Sequence, residues 1–238
     1  MDGLDGVVAT ATVLSEVDGR NGRLIVRGVD IEHLAGRTGY EGMAALLWDG
    51  LAPPARLGFG AARQDAWRLV PDLLRAARGA PVIDGLKAGL ALVPADDGHV
   101  RVCAAIAVFA AALSRQARGL APVAPDPRLG QAQDYLRMLH GAEPAREAAR
   151  ALEAYLVTIA DHGMNASTFT ARVIASTRAG VVPAVVGALA ALQGPLHGGA
   201  PAPVLDMLDD VGHPGRAEAW VEAALARGER LMGFGHRV

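Results

Sequence analysis

Three histidines stand among glycines and other small residues: His162 in Ala-Asp-His-Gly-Met-Asn-Ala-Ser, His197 in Gly-Pro-Leu-His-Gly-Gly-Ala, and His236 in Gly-Phe-Gly-His-Arg-Val. Imidazole, with an unperturbed pKa of about 6.5, is the side chain that can give or take a proton near neutrality. Neighbouring glycines let a ligand approach the backbone closely. The three together read as a catalytic set.

Each histidine has its own setting. His197 precedes Gly198, Gly199, Ala200 and Pro201 and then a helical pattern over residues 202–208, so it lies just ahead of a helix start with proline near the first turn. The positive end of a helix disfavours imidazolium and leaves a neutral ring, whose N–H can donate to a carbonyl oxygen that becomes enolate-like. Filling a turn is the alternative role. His162 closes the helical pattern of residues 145–160 and precedes Asn165-Ala166-Ser167-Thr168, a capping-type start for the next helix. It can reach a ligand from that junction, or serve only as part of a cap and turn. His236 follows Gly233-Phe234-Gly235, where small residues leave backbone groups open to an extended ligand; a terminal tail is the other reading. This is neither a dinucleotide fingerprint nor a P-loop, because the third glycine, the Lys-Ser/Thr pair and a preceding strand are missing. No His-Glu-x-x-His or cysteine pair accompanies the histidines, so no metal site is expected. His33, His99, His140 and His213 fall in polar or loop-like surroundings and receive no role.

These blocks, with Leu-Ile-Val-Arg-Gly-Val-Asp-Ile (24–31) and Ala-Ala-Leu-Leu-Trp-Asp-Gly (44–50), resemble the short bacterial citrate synthases and 2-methylcitrate synthases. The three histidine motifs occur in the family's order, with 35 residues from His162 to His197 and 39 from His197 to His236. The resemblance runs from about residue 4 to the end of the sequence and covers about the first two thirds of a family member.

The resemblance implies a Claisen-type condensation of acetyl-CoA or propionyl-CoA with oxaloacetate, giving citrate or 2-methylcitrate and CoA, a tricarboxylic acid cycle chemistry. Such a reaction needs a carboxylate base, a neutral donor on the thioester oxygen and a donor on the ketone. By resemblance His197 is the thioester donor and His236 the ketone donor, while His162, Asn165 and Ser167 bind oxaloacetate. Met232, Gly233, Phe234 and Gly235 would contact CoA, a co-substrate; no permanently bound cofactor is expected. The family's base is an aspartate downstream of the third histidine, and its Asp-Pro-Arg motif lies there too, so the 238-residue chain alone is expected to be nearly inert. The alternative from another class is a non-catalytic, dimerising citrate synthase-like remnant. Two departures bear on acceptor choice: Val29 where the family commonly has tyrosine, and Pro201-Ala202 in place of an asparagine-glutamate pair.

Around the motifs, the composition is that of a folded chain with a large core. The formal charge of −2 gives no basic footprint for nucleic acid. Lys87 is the one lysine beside 22 arginines, which are scattered along helical segments and mark no site. The single cysteine, Cys103, sits among apolar neighbours, excludes an intrachain disulfide and fits a reducing cytoplasm. The N-terminus lacks the basic region of a secretory signal. The longest apolar run, at residues 102–113, is short of the roughly 20 residues a bilayer needs and reads as a buried helix.

The elements that must position the histidines are almost all helical. Turn signals at Asp18-Gly19 and Asn21-Gly22 predict a small N-terminal β-ribbon within residues 8–26. From residue 38 onward, alanine- and leucine-rich segments punctuated by Pro and Gly predict an all-α fold. Helices over residues 100–114 and 181–192 are apolar around most of their circumference and must be surrounded by protein. Small residues through 166–192 allow close helix packing, either within the core or, as the resemblance supports, at a homodimer interface. The resemblance divides the chain into a large helical domain over residues 1–199 and the beginning of a small, CoA-side domain over 200–238.

Overall fold

A computed structural model describes residues 10–55, 57–94, 98–194, 197–198, 202–229 and 231. Two short antiparallel strands, β1 (Ser15–Asp18) and β2 (Arg23–Val26), form the expected ribbon, and a third, β3 (Val29–Asp30), beyond the expected span, extends it in the order β1-β2-β3. Asp18 closes the first turn by accepting from the backbone N–H and side-chain amide of Asn21 at 3.1 and 2.6 Å. Between β2 and β3, Arg27 and Gly28 both adopt positive φ, 50° and 80°, as a two-residue type I′ turn demands. Asp30 then caps α1 (Ile31–Leu34) through the N–H of Glu32.

The helices that follow are α2 (Tyr40–Trp48), α3 (Phe59–Trp67), α4 (Val70–Ala76), α5 (Val82–Leu90), α6 (His99–Ala117), α7 (Gln131–His140) and α8 (Arg146–Thr158). After them come α9 (Ala166–Ser176), α10 (Val181–Leu192), α11 (Ala202–Val211) and, beyond a short 3-10 turn, α12 (Ala217–Ala226). The fold is all-α apart from the ribbon. The boundary expected after residue 199 falls on residues 199–201, outside the described residues.

The central helix is α6. By length and composition it could cross a bilayer, yet nine of its residues, from Val100 to Leu113, are buried within the chain. Phe109 and its neighbours pack on Leu73 of α4, Leu90 of α5, Met138 of α7 and Val182 of α10. Close approach is built in: a Cβ on Gly89 would stand 2.7 Å from Leu73 Cδ1 and 2.9 Å from Phe109 Cδ2. At Gly60 of α3 a Cβ would fall 2.1 Å from the carbonyl oxygen of Pro127, so helix and loop touch backbone to backbone.

That loop, between α6 and α7, is tied down by a buried cation. Arg63 of α3 is fully inaccessible and donates to Asp134 Oδ2 at 2.7 Å, Gln131 Oε1 at 2.9 Å and the carbonyls of Asp126 and Leu129. Asp134, also fully buried, accepts in addition from Arg137 and the backbone N–H of Asp126. A buried ion pair is tolerable when its remaining donors and acceptors are satisfied, as they are here. Reading the arginines as scattered and unassigned missed this anchor.

A second cluster joins the ribbon to the helices, with Val26 of β2 packed among Leu34, Met43 and Val157 of α8. His99, read from sequence as loop-like, is instead the first residue of α6, its ring 4.2 Å from that of Trp48 in an edge contact. Gly98 is the N-cap of that helix.

Candidate active site

The connection after α8 hands the chain to α9 through Asn165, the N-cap, whose Oδ1 accepts from the Thr168 N–H at 2.9 Å. Ser167 in the first turn of α9 donates its hydroxyl to the same Oδ1 at 2.8 Å. From there α9 runs to Ser176, and a tight turn with Arg178 at φ 61° and Gly180 at φ 98° leads into α10. The two helices press together at Gly187, where a Cβ would stand 2.2 Å from Ile174 Cδ1.

His197 sits in a turn fastened to the end of α10. Its N–H donates to Gly194 O at 3.0 Å, and Gly198 N–H donates to Leu192 O at 2.9 Å. Residue 198 has to be glycine, because a Cβ there would lie 2.1 Å from Leu192 O and 2.8 Å from Leu192 Cγ. The α9–α10 hairpin thereby brings His197 Nε2 within 3.0 Å of Ser167 Oγ, 30 residues away in sequence. The expected helix start lies five residues on, at Ala202 of α11, so the bonds that hold the His197 backbone come from α10 instead.

The trio Asn165, Ser167 and His197 poses a proton-counting problem. A serine hydroxyl has one hydrogen. With that hydrogen on Asn165, Ser167 Oγ accepts from His197 Nε2–H, and Nδ1 of a neutral ring carries no proton. With the hydroxyl turned to Nε2, the neutral ring holds its proton at Nδ1 and can donate there. Asn165 thus competes with His197 for one hydrogen, and rotation about a single C–O bond selects which nitrogen of the imidazole is the donor.

His162 is exposed on the α8–α9 connection, and its ring makes no hydrogen bond to other described residues. Its neighbours are fixed: Asp161 Oδ1 accepts from the Gly163 N–H at 3.2 Å, and Gly163 adopts φ 91°, a conformation glycine takes without strain. The structure therefore unites Asn165, Ser167 and His197 and places His162 at the head of the same helix. His236 and the loop residues Met232, Gly233, Phe234 and Gly235 lie outside the described residues.

Comparison with known proteins bears on the whole of this arrangement. The family model described as "Citrate synthase, C-terminal domain" matches residues 3–238. A 2-methylcitrate synthase of Mycobacterium tuberculosis is 37% identical, the match covering 99% of this chain and 64% of the relative. A citrate synthase of Mycolicibacterium smegmatis is 34% identical over 99% of this chain and 68% of its own length. The crystal structure of citrate synthase from Thermotoga maritima superposes with a TM-score of 0.79 at 34% identity, covering 100% of this chain and 68% of that one. The chain thus spans about two thirds of the length of these relatives, and relatives under both names resemble it to a similar degree.

Proposed function

The chain belongs to the citrate synthase family, and from that premise we propose that the protein serves the condensation of an acyl-CoA, acetyl-CoA or propionyl-CoA, with oxaloacetate. The products are citrate or 2-methylcitrate and free CoA. The observation that carries this reading is the contact between His197 and Ser167, which joins two of the three motif blocks around one imidazole.

In the proposed reaction a base removes a proton from the carbon next to the thioester, and the negative charge that develops on the thioester oxygen is met by His197. A neutral ring serves through Nδ1–H once the Ser167 hydroxyl turns from Asn165 to Nε2. The enol carbon attacks the keto carbon of oxaloacetate, whose oxygen takes a proton from His236, and water then cleaves the thioester to release CoA as its thiol. His162 and Asn165 line the oxaloacetate side. The resemblance places the base and the substrate arginines downstream of His236, and general acid–base groups contribute roughly 10²- to 10⁴-fold each, so the 238 residues alone are expected to turn over very slowly. Oxaloacetate-dependent release of CoA thiol by the full-length protein tests the reading. Release with one acyl donor names the product; none with either donor overturns it.

The outer face of the α9–α10 hairpin supports assembly with a second copy. No residue of α9 is buried; Phe169, Val173 and Leu192 are 37%, 50% and 38% exposed, and Ala171, Ala175, Val181 and Val185 of the two helices line a mainly apolar groove of about 580 Å³. Apolar patches of this kind are usual at protein interfaces. A homodimer covering this face should fall to half its mass in sedimentation when Val173 becomes aspartate. The same face favours the second reading, a dimerising protein without catalysis, which dimer formation without any thiol release would select.

A further inference from the structure

The N-terminal ribbon is far from α9 in sequence, yet it is fastened to the connection that carries His162. Ser15, the first residue of β1, donates its hydroxyl to Asp161 Oδ1 across 146 residues. The same oxygen accepts from the Gly163 N–H, so the peptide units on either side of His162 are closed into a small ring by the Asp161 carboxylate. Val17 of β1 stands against this turn, its Cγ2 3.8 Å from where a Gly163 Cβ would be. A second tie lies on α9, where Arg172 donates to Thr10 Oγ1 at 3.0 Å. The ribbon is held in place in turn, because Ser15 pairs with Val26, which is wholly buried in the cluster with Val157 of α8.

Among the described residues none bonds to the His162 ring, so within them its aim depends on the backbone that carries it. We propose that Ser15 and Asp161 are positioning residues for His162: the serine fixes the carboxylate, the carboxylate fixes the turn, and the turn directs the imidazole toward the acceptor acid. The inference rests on the reading of His162 as an oxaloacetate contact. One carboxylate oxygen accepts both bonds, so an amide oxygen in the same place has the capacity to accept them too.

Two measurements on the full-length protein separate the positioning from the binding role. The first is the imidazole Cε1–H resonance of His162 in the ligand-free protein. Ser15→Ala and Asp161→Ala should move it toward the value of an unrestrained histidine, whereas Ser15→Thr and Asp161→Asn, which keep the donor and the acceptor, should leave it in place. An unmoved resonance in both alanine variants overturns the proposal, whatever the binding data show. The second is direct titration with oxaloacetate, in which His162→Ala and Asp161→Ala should each weaken binding about tenfold with a much smaller change in kcat. Ser15→Ala added to His162→Ala should cost nothing further, as expected when two changes act through one group. If His162→Ala binds oxaloacetate normally while the resonance shifts occur, the positioning stands and the binding role of His162 fails. If His162→Ala weakens binding but Asp161→Ala does not, the positioning has no bearing on the acceptor and the proposal is overturned.

Discussion

α6 and α10 are both strongly apolar, and the fold treats them in opposite ways. α6 has nine buried residues and is covered by its own chain on nearly all sides, whereas α10 buries only Val182 and Ala184. Around α6, polar needs are met internally, as with Arg63, Gln131 and Asp134. On the α9–α10 side the polar groups Asn165, Ser167 and His197 are half-buried, and the Ser167 hydroxyl has one proton for two acceptors. One half of the molecule is finished as folded. The other is left to be completed by what binds it, and the candidate catalytic groups lie there.

The largest effect should come from breaking the finished half. Asp134→Ala strands the Arg63 guanidinium with no exposed surface, a change that costs about 3–5 kcal/mol in comparable buried pairs. Urea unfolding should show that loss, and an unchanged midpoint would mean that water reaches Arg63. On the unfinished half, His197→Ala should leave the unfolding midpoint near the parent value and lower turnover by about 10²- to 10³-fold, the usual loss for a donor aimed at developing negative charge. Oxaloacetate affinity should change much less. A variant that lost only affinity would return His197 to a turn-filling role.

A pair of glycines sharpens the contrast at lower cost. Gly60→Ala sets a methyl group against the Pro127 carbonyl oxygen, a backbone atom that cannot turn aside, and should destabilise by about 1–3 kcal/mol. Gly187→Ala clashes with the Ile174 Cδ1, the end of a flexible side chain, and otherwise makes ordinary contact with Thr170, so it should cost less. Equal losses in thermal unfolding would show that α9–α10 is packed as rigidly as α3 is against the Pro127 loop. The smallest effect concerns Glu153, whose pKa is raised by partial burial and then by the nearby Glu41 carboxylate. A carboxyl group with a raised folded-state pKa binds its proton more tightly when folded, so stability falls as pH rises from the unfolded value through the raised one. Glu153→Gln should therefore be more stable than the parent at pH 7 and no more stable at pH 4, as read by melting temperature against pH.

Local chemistry made much of this visible in the sequence. Asp18-Gly19 and Asn21-Gly22 announced the ribbon because turn geometry is set by a few adjacent residues. The breaks at Pro and Gly marked the helices, and Asn165 read as a cap because its partner is three residues away. The spacing of His162 and His197 carried the family, but their geometry came only with the fold, since Ser167 and His197 meet through the packing of α9 on α10. Long-range polar pairs were the blind spot. Arg63 looks like any helical arginine, and no periodicity links Ser15 to Asp161. The pattern of small residues in 166–192 was equally compatible with core and interface, because a helix face requires the same side chains whether its neighbour is its own chain or another.

The span between Ser15 and Asp161 also sets an order of events during synthesis. The ribbon leaves the ribosome first, and the carboxylate it binds follows 146 residues later. At translation rates of about 5–20 residues per second, that is roughly 7–30 s during which the hairpin exists without its docking surface. A ribbon this short is marginal until its apolar face packs on a helix, and an outer strand with free backbone groups invites pairing with other nascent chains. Of the two outer strands the longer is β1, which carries Glu16 and Asp18, so two negative charges guard that edge until Asp161 emerges to receive Ser15.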